Sequence, residues 1–181
     1  MTTRKLCLTA MGTALFVVFT LCLQVPVFEN YYLCLGYVVM MVFCFYFGPI
    51  SSTIVGTMGV VLYCLLISGL RGMPGWAIGN IVIALSVSLA CKCTDGLKKR
   101  WIRYLILLIV IVAATAVAIL GVKSLVEMVL YAQPFLLRVT KNVYAVVADI
   151  VVMVVSIPVC EKLKPIIIKL FPDEILIMPK L

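Results

Sequence analysis

The chain has 181 residues, 65% of them hydrophobic and 12% charged, with a formal net charge of +8. Soluble domains run near half apolar and a quarter charged, so the composition excludes an ordinary soluble domain and leaves room for one compact membrane bundle. The positive charge does not read as a nucleic-acid footprint, because the basic residues punctuate apolar runs instead of forming a patch on a soluble face.

A bilayer core about 30 Å thick takes roughly 20 apolar residues of helix. Arg4 and Lys5 precede the first such run, Leu6–Leu23. It is long for a signal sequence, and no small-x-small cleavage site follows, so it reads as a span. A short polar connection, Phe28-Glu29-Asn30-Tyr31, leads to a second span, Tyr32–Phe47, stopped by Gly48-Pro49. The third is Ile50–Leu70. The turn Arg71-Gly72-Met73-Pro74-Gly75 follows, with Pro74 placed to start the next helix. The fourth span is Trp76–Cys91, and a basic loop, Lys92–Arg103, separates it from the fifth, Tyr104–Val122. The less apolar segment Lys123–Pro134 reads as a connection, and Phe135–Val159 as the sixth span. Pro165, Pro172 and Pro179 are expected to keep the tail, 160–181, from forming a long regular helix. The expectation is an all-α integral membrane protein, a single domain folded as six transmembrane helices, with a cytoplasmic or interfacial tail.

Lysine and arginine in the loops set the orientation. Six spans place both termini on one side with eleven basic residues, including Arg4, Lys5, Lys92, Lys98, Lys99, Arg100, Arg103, Lys162 and Lys164. The other side has four: Arg71, Lys123, Arg138 and Lys141. Both termini are therefore expected in the cytoplasm of a cell whose plasma membrane the chain crosses.

The sixth span carries the most informative face. Arg138, Lys141, Asn142, Ala145 and Asp149 stand at offsets 0, 3, 4, 7 and 11, which place them on one side of a helix. Polar groups at that depth face a bundle interior, a partner or a cavity. The stripe fits a ligand pocket or an internal polar network, and Asp149 is its most structural member. Trp76 and Asn80, four apart in the fourth span, form a second candidate face, although tryptophan is also common at membrane interfaces. Ala10-x-x-x-Ala14 and Ser52-x-x-x-Gly56, with Gly59 beyond, are small-residue surfaces that let helices approach closely.

Chemistry is poorly represented. The chain has no histidine, and its eight cysteines lie mostly inside spans as soft apolar residues. Cys91 and Cys93 have one residue between them, which is not a zinc spacing. Asp149 is the one carboxylate in the spans, and there is no Walker-type glycine loop. No catalytic residue, cofactor or metal is expected, and the chain does not read as an enzyme.

In their order along the chain, several features resemble the substrate-binding S components of energy-coupling factor (ECF) vitamin transporters. They are the short basic start, Ala10-x-x-x-Ala14, Leu35-Gly36, Phe47-Gly48-Pro49, Gly56 and Gly59, the proline-led fourth helix, and Arg138 with Lys141-Asn142. The resemblance implies a subunit that captures a water-soluble vitamin or related micronutrient from outside a prokaryotic cell. It also implies a membrane coupling subunit, faced by Ala10 and Ala14, and two ATPase subunits that hydrolyse ATP. The outer connections of such proteins close over the ligand, which adds Asn30, Tyr31, Arg71 and Gln133 to Trp76, Asn80, Arg138, Lys141 and Asn142 as substrate-binding candidates.

Vitamin-specific acidic residues of some branches are replaced by Tyr37 and Tyr63, and a lysine of others falls near Asn80. The ligand therefore stays open between riboflavin, pantothenate and a pyridoxine-like molecule. The alternatives are an autonomous secondary carrier using Asp149 as its proton site, or a small membrane enzyme or assembly protein.

Overall fold

The computed structural model describes residues 3–22, 25–28, 31–68, 73–97, 99–132, 134–172 and 175, with only the backbone of 25–28, 31–33 and 68. Helix α1 (Thr3–Cys22) leads into a short antiparallel ribbon, β1 (Val25–Phe28) and β2 (Tyr31–Leu33). Helices α2 (Gly36–Tyr46) and α3 (Pro49–Tyr63) follow, and α3 ends in a π-helical turn, Cys64–Ser68. Then come α4 (Met73–Thr94) and α5 (Arg100–Ala116). A second π-helical segment, Val117–Lys123, joins α5 to α6 (Ser124–Tyr131), and α7 (Phe135–Leu170) closes the fold.

The membrane class holds. Five continuous helical stretches are long and apolar enough to cross a bilayer: Thr3–Cys22, Pro49–Ile67, Met73–Thr94, Arg100–Tyr131 and Phe135–Leu170. Helix α2 differs from the expected second span. Its eleven residues rise only about 16 Å, and nine of them are buried. It is a central pillar wrapped by the others, so it does not need the length that contact with lipid would demand.

The turn between α2 and α3 requires glycine. Gly48 has φ 85°, in the region L side chains avoid, and Pro49 opens α3 where its missing N–H costs nothing.

Three boundaries differ from the sequence reading. The second span is expected from Tyr32, but Tyr31–Leu33 is a strand paired with Val25–Phe28; Glu29 and Asn30 lie outside the described residues. Lys123–Pro134 is not an open connection: α6 carries the helix on to Tyr131, and Ala132 in the left-handed region (φ 50°) ends it. Pro165 does not stop α7, which runs through Pro158 and Pro165 to Leu170, two residues before Pro172; Pro179 lies outside the described residues. Each proline removes one backbone hydrogen bond. Buried Ile157, Cys160 and Ile167 still fasten this stretch to the bundle, and the Tyr46 hydroxyl donates to the Cys160 carbonyl at 2.6 Å.

The helices alternate in direction, so the start of α1 and the end of α7 meet, with Arg4 donating to the Leu170 carbonyl at 3.5 Å. Asp95, in the turn after α4, lies 3.7 Å from Arg103 at this basic end. Burial pushes the Asp95 carboxyl above its ordinary range, while the Arg103 guanidinium pulls it the other way.

Small residues set the packing distance. A Cβ on Gly12 would strike the Phe43 ring, and one on Gly59 would come within 2.4 Å of Phe16 Cδ1. Ser52, Gly56 and Gly59 thus pack inside the bundle. Ala10 and Ala14 face outward and line a groove of about 370 Å³ with Thr9, Thr13, Met58 and Leu62. Gly59→Ala is expected to destabilise the fold by about 1–3 kcal/mol through overpacking. A thermal unfolding scan in detergent checks this against Gly121→Ala, whose added Cβ meets nothing within 4 Å.

Candidate functional site

Buried Asn80, Ser124, Glu127, Asn142 and Asp149 lie in the half of the bundle away from the basic loop. Helices α2, α4 and α7 begin there, and both π-helical segments lie there. π-Turns are rare and often mark functional sites.

Tyr37, on the first turn of α2, is the centre of the cluster and fully buried. Its hydroxyl accepts the Trp76 indole N–H at 2.9 Å and donates to Asn80 Oδ1 at 2.8 Å. Asn80 is also fully buried, and its amide nitrogen donates to the Gly56 carbonyl at 2.9 Å. Only a residue without a side chain leaves room at Gly56, where a Cβ would come within 2.5 Å of Met40 Sδ. Tyr63 meets the Trp76 ring edge-on at 5.7 Å, and Phe16 meets Tyr37 at 6.2 Å. Aromatic surface therefore surrounds the polar relay.

Helix α7 supplies a second set. Asn142 is buried and donates to Ser124 Oγ at 3.0 Å, and that hydroxyl donates to the Ile119 carbonyl at 3.2 Å. This chain of bonds ties α7 to the π-helical segment before α6. Asp149 lies two turns deeper on the same helix and is buried.

At the rim, Arg138 pairs with Glu127 at 3.5 Å and stacks its guanidinium 5.8 Å from the Tyr131 ring. Glu127 Oε2 and Arg138 Nε are buried yet make no hydrogen bond. Buried polar atoms of this kind call for a partner.

The structure thus brings together Trp76, Asn80, Arg138, Asn142 and Asp149 of the sequence candidates. Lys141 is exposed and does not join them. Three residues along a helix is 300°, which sets it about 60° off the line through Arg138. Asn30, Arg71 and Gln133 lie outside the described residues, and Tyr31 contributes a described backbone in β2.

Sequence reasoning missed Tyr37 as the hub and Ser124 as the partner of Asn142. A tyrosine in an apolar run looks like core, and Ser124 fell in a segment read as a loop. Among the described residues no group of three or more His, Cys, Asp or Glu side chains is placed to hold a metal. Cys91 is buried while Cys93 is exposed.

A family model described as ECF-type riboflavin transporter, S component, matches residues 1–164. The chain belongs to this family of membrane-embedded transporter subunits. The crystal structure of the S component for biotin from an ECF-type ABC transporter is similar in fold, with a TM-score of 0.62. The two share 17% sequence identity, and the match covers 91% of this chain and 95% of that one. No match is found among curated proteins.

Removing the Tyr37 hydroxyl strands the Trp76 N–H and the Asn80 carbonyl oxygen together. Tyr37→Phe is expected to cost about 1–3 kcal/mol, and Lys141→Ala close to nothing. Midpoints of thermal unfolding in one detergent compare the two directly.

Proposed function

We propose that this chain captures riboflavin from outside a prokaryotic cell and delivers it through an ECF importer. In this reading a membrane coupling subunit and two ATPase subunits complete the importer and hydrolyse ATP. The family match over residues 1–164 carries the reading. The aromatic and polar cluster under Trp76 and Arg138 supports it.

The charge balance of that cluster favours a neutral ligand. Arg138 is held by Glu127, and Asp149 places a further carboxylate in the interior. Lys141 is exposed. A carboxylate ligand such as biotin or pantothenate needs a cation free of a carboxylate partner, and Arg138 is not one. A flat flavin ring needs apolar and aromatic walls with a few polar groups on its edge. Trp76 and Tyr63 supply the first. Asn142, Glu127 Oε2 and Arg138 Nε supply the second, with Asn30, Tyr31, Arg71 and Gln133 closing from the outer connections. Asn80 acts one layer below, holding Tyr37 and through it Trp76 in place.

Six crossings follow in this reading, because α2 with its flanking ribbon completes the sixth inside the protein. Non-helical backbone is tolerated at membrane depth where protein surrounds it. The basic end faces the cytoplasm, with both termini there. Ala10 and Ala14 form the contact with the coupling subunit, where small side chains allow helix backbones to approach. The secondary-carrier alternative is not favoured, because the family is that of an importer subunit.

Titration of riboflavin against the purified chain, followed by quenching of flavin fluorescence, tests the ligand. Saturable riboflavin binding is expected, and binding of biotin or pantothenate in its place overturns the assignment. Arg138→Ala and Glu127→Gln are each expected to weaken binding roughly ten- to a hundredfold, the value of a hydrogen bond to a charged group.

The partner face has its own test. Replacing Ala10 and Ala14 together by Leu is expected to abolish copurification with the coupling subunit while riboflavin still binds. Loss of both properties places this surface inside the fold of the chain.

A further inference from the structure

Two cavities at the basic end have no part in vitamin capture, and they share a wall. One is an apolar groove of about 460 Å³ between α5 and α7, running along Leu105, Leu108, Val154 and Pro158, with Trp101 among its lining residues. The other is a polar pocket of about 240 Å³ lined by Arg100, Arg103, Lys164, Asp95 and Glu161 over the Phe45 and Tyr46 rings. Glu161 lines both. An apolar trough and a charged pocket therefore adjoin at Glu161 near the membrane surface.

The two halves call for one amphipathic occupant. The groove opens sideways between membrane-spanning helices, where the surrounding medium is lipid tails. Trp101, 80% exposed, is the kind of residue that anchors at the headgroup level. The pocket has three basic side chains against two acidic ones, and Asp95 is already paired with Arg103. Arg103 Nε is buried there and makes no hydrogen bond, so an acceptor oxygen is wanted at that point. Basic pockets between membrane helices suit anionic lipid headgroups.

We propose that the groove and the pocket together bind one anionic phospholipid, its phosphate among Arg100, Arg103 and Lys164 and one acyl chain along Leu105, Leu108, Val154 and Pro158. The lipid acts as a fixed strut between α5 and α7 at the end opposite the vitamin site. Its net negative charge distinguishes it from zwitterionic lipid, whose cationic head would be repelled by Arg100 and Lys164.

Native mass spectrometry of the full chain, equilibrated with equal amounts of phosphatidylglycerol and phosphatidylcholine, tests this. The expected result is selective retention of phosphatidylglycerol. Each basic residue near a membrane surface contributes about fivefold in affinity. Arg100→Gln with Lys164→Gln should therefore reduce the selectivity roughly thirtyfold. Equal retention of both lipids by the native chain, or unchanged selectivity in the double variant, overturns the proposal. So does displacement of the lipid by millimolar inorganic phosphate, which would make the pocket a small-anion site, or by dimerisation, which would assign the groove to a second copy. A measurement without variants runs beside these: phosphatidylglycerol is expected to raise the thermal midpoint of the native chain more than phosphatidylcholine does. An equal rise counts against the proposal.

Discussion

The amide of Asn80 joins three helices in a medium that offers no other partner. It belongs to α4, donates to a carbonyl of α3 at Gly56 and accepts from the Tyr37 hydroxyl of α2. In water such a group gains little, because solvent competes for it. Inside a membrane bundle, a polar group left without a partner is expensive, so the bond fixes the register of α2, α3 and α4 together. Packing then follows from it. The Gly56 carbonyl is reachable because no side chain stands at that position, and Met40 fills the space beside it. Trp76 is aimed by its bond to the same hydroxyl, so the orientation of an aromatic wall in the candidate site depends on an amide one turn deeper in α4.

The two ends of the bundle treat charge differently, and the difference assigns them different work. At the Trp76 end, Arg138 is paired with Glu127, and Lys123 and Asp149 add one charge of each sign. Such a site can hold a neutral polar molecule without stranding a charge. At the Asp95 end basic groups exceed acidic ones, and Lys92 and Lys99 add to the excess from exposed positions. An unbalanced field at a membrane surface sets orientation and attracts anionic headgroups.

Much of this was legible in the chain. Length and apolarity gave the membrane class. The spacing of Asn142 and Asp149 gave the buried face of α7, and Phe47-Gly48-Pro49 gave a turn whose glycine does have positive φ. What stayed hidden depended on context. Pro158 and Pro165 are helix breakers by local rule, yet α7 absorbs them because Ile157, Cys160 and Ile167 are held by packing. Glu127 and Gln133 made Lys123–Pro134 look like a connection, whereas in the fold Glu127 is buried against Arg138 and the helix continues to Tyr131. Tyr37 could not be told from core, since its role rests on Trp76 and Asn80, which are distant in sequence. Periodicity reports which way a side chain points on its own helix and says nothing of what meets it there.

Helix α1 connects these observations to the proposed assembly. One face carries Ala10 and Ala14, exposed toward α3's outer edge. The other buries Gly12 against Phe43 and sets Phe16 between Gly59 and the Tyr37 ring. The outward face thus has small residues and shallow relief, while the inward face interlocks with α2 and α3 at contacts where an added methyl group would collide. A partner pressing on the alanine face would act on a helix that cannot slide without displacing Phe16, and Phe16 cannot move without disturbing Tyr37. Close-packed interiors transmit such displacement instead of absorbing it. In the proposed importer, docking on α1 therefore moves the bundle as one body.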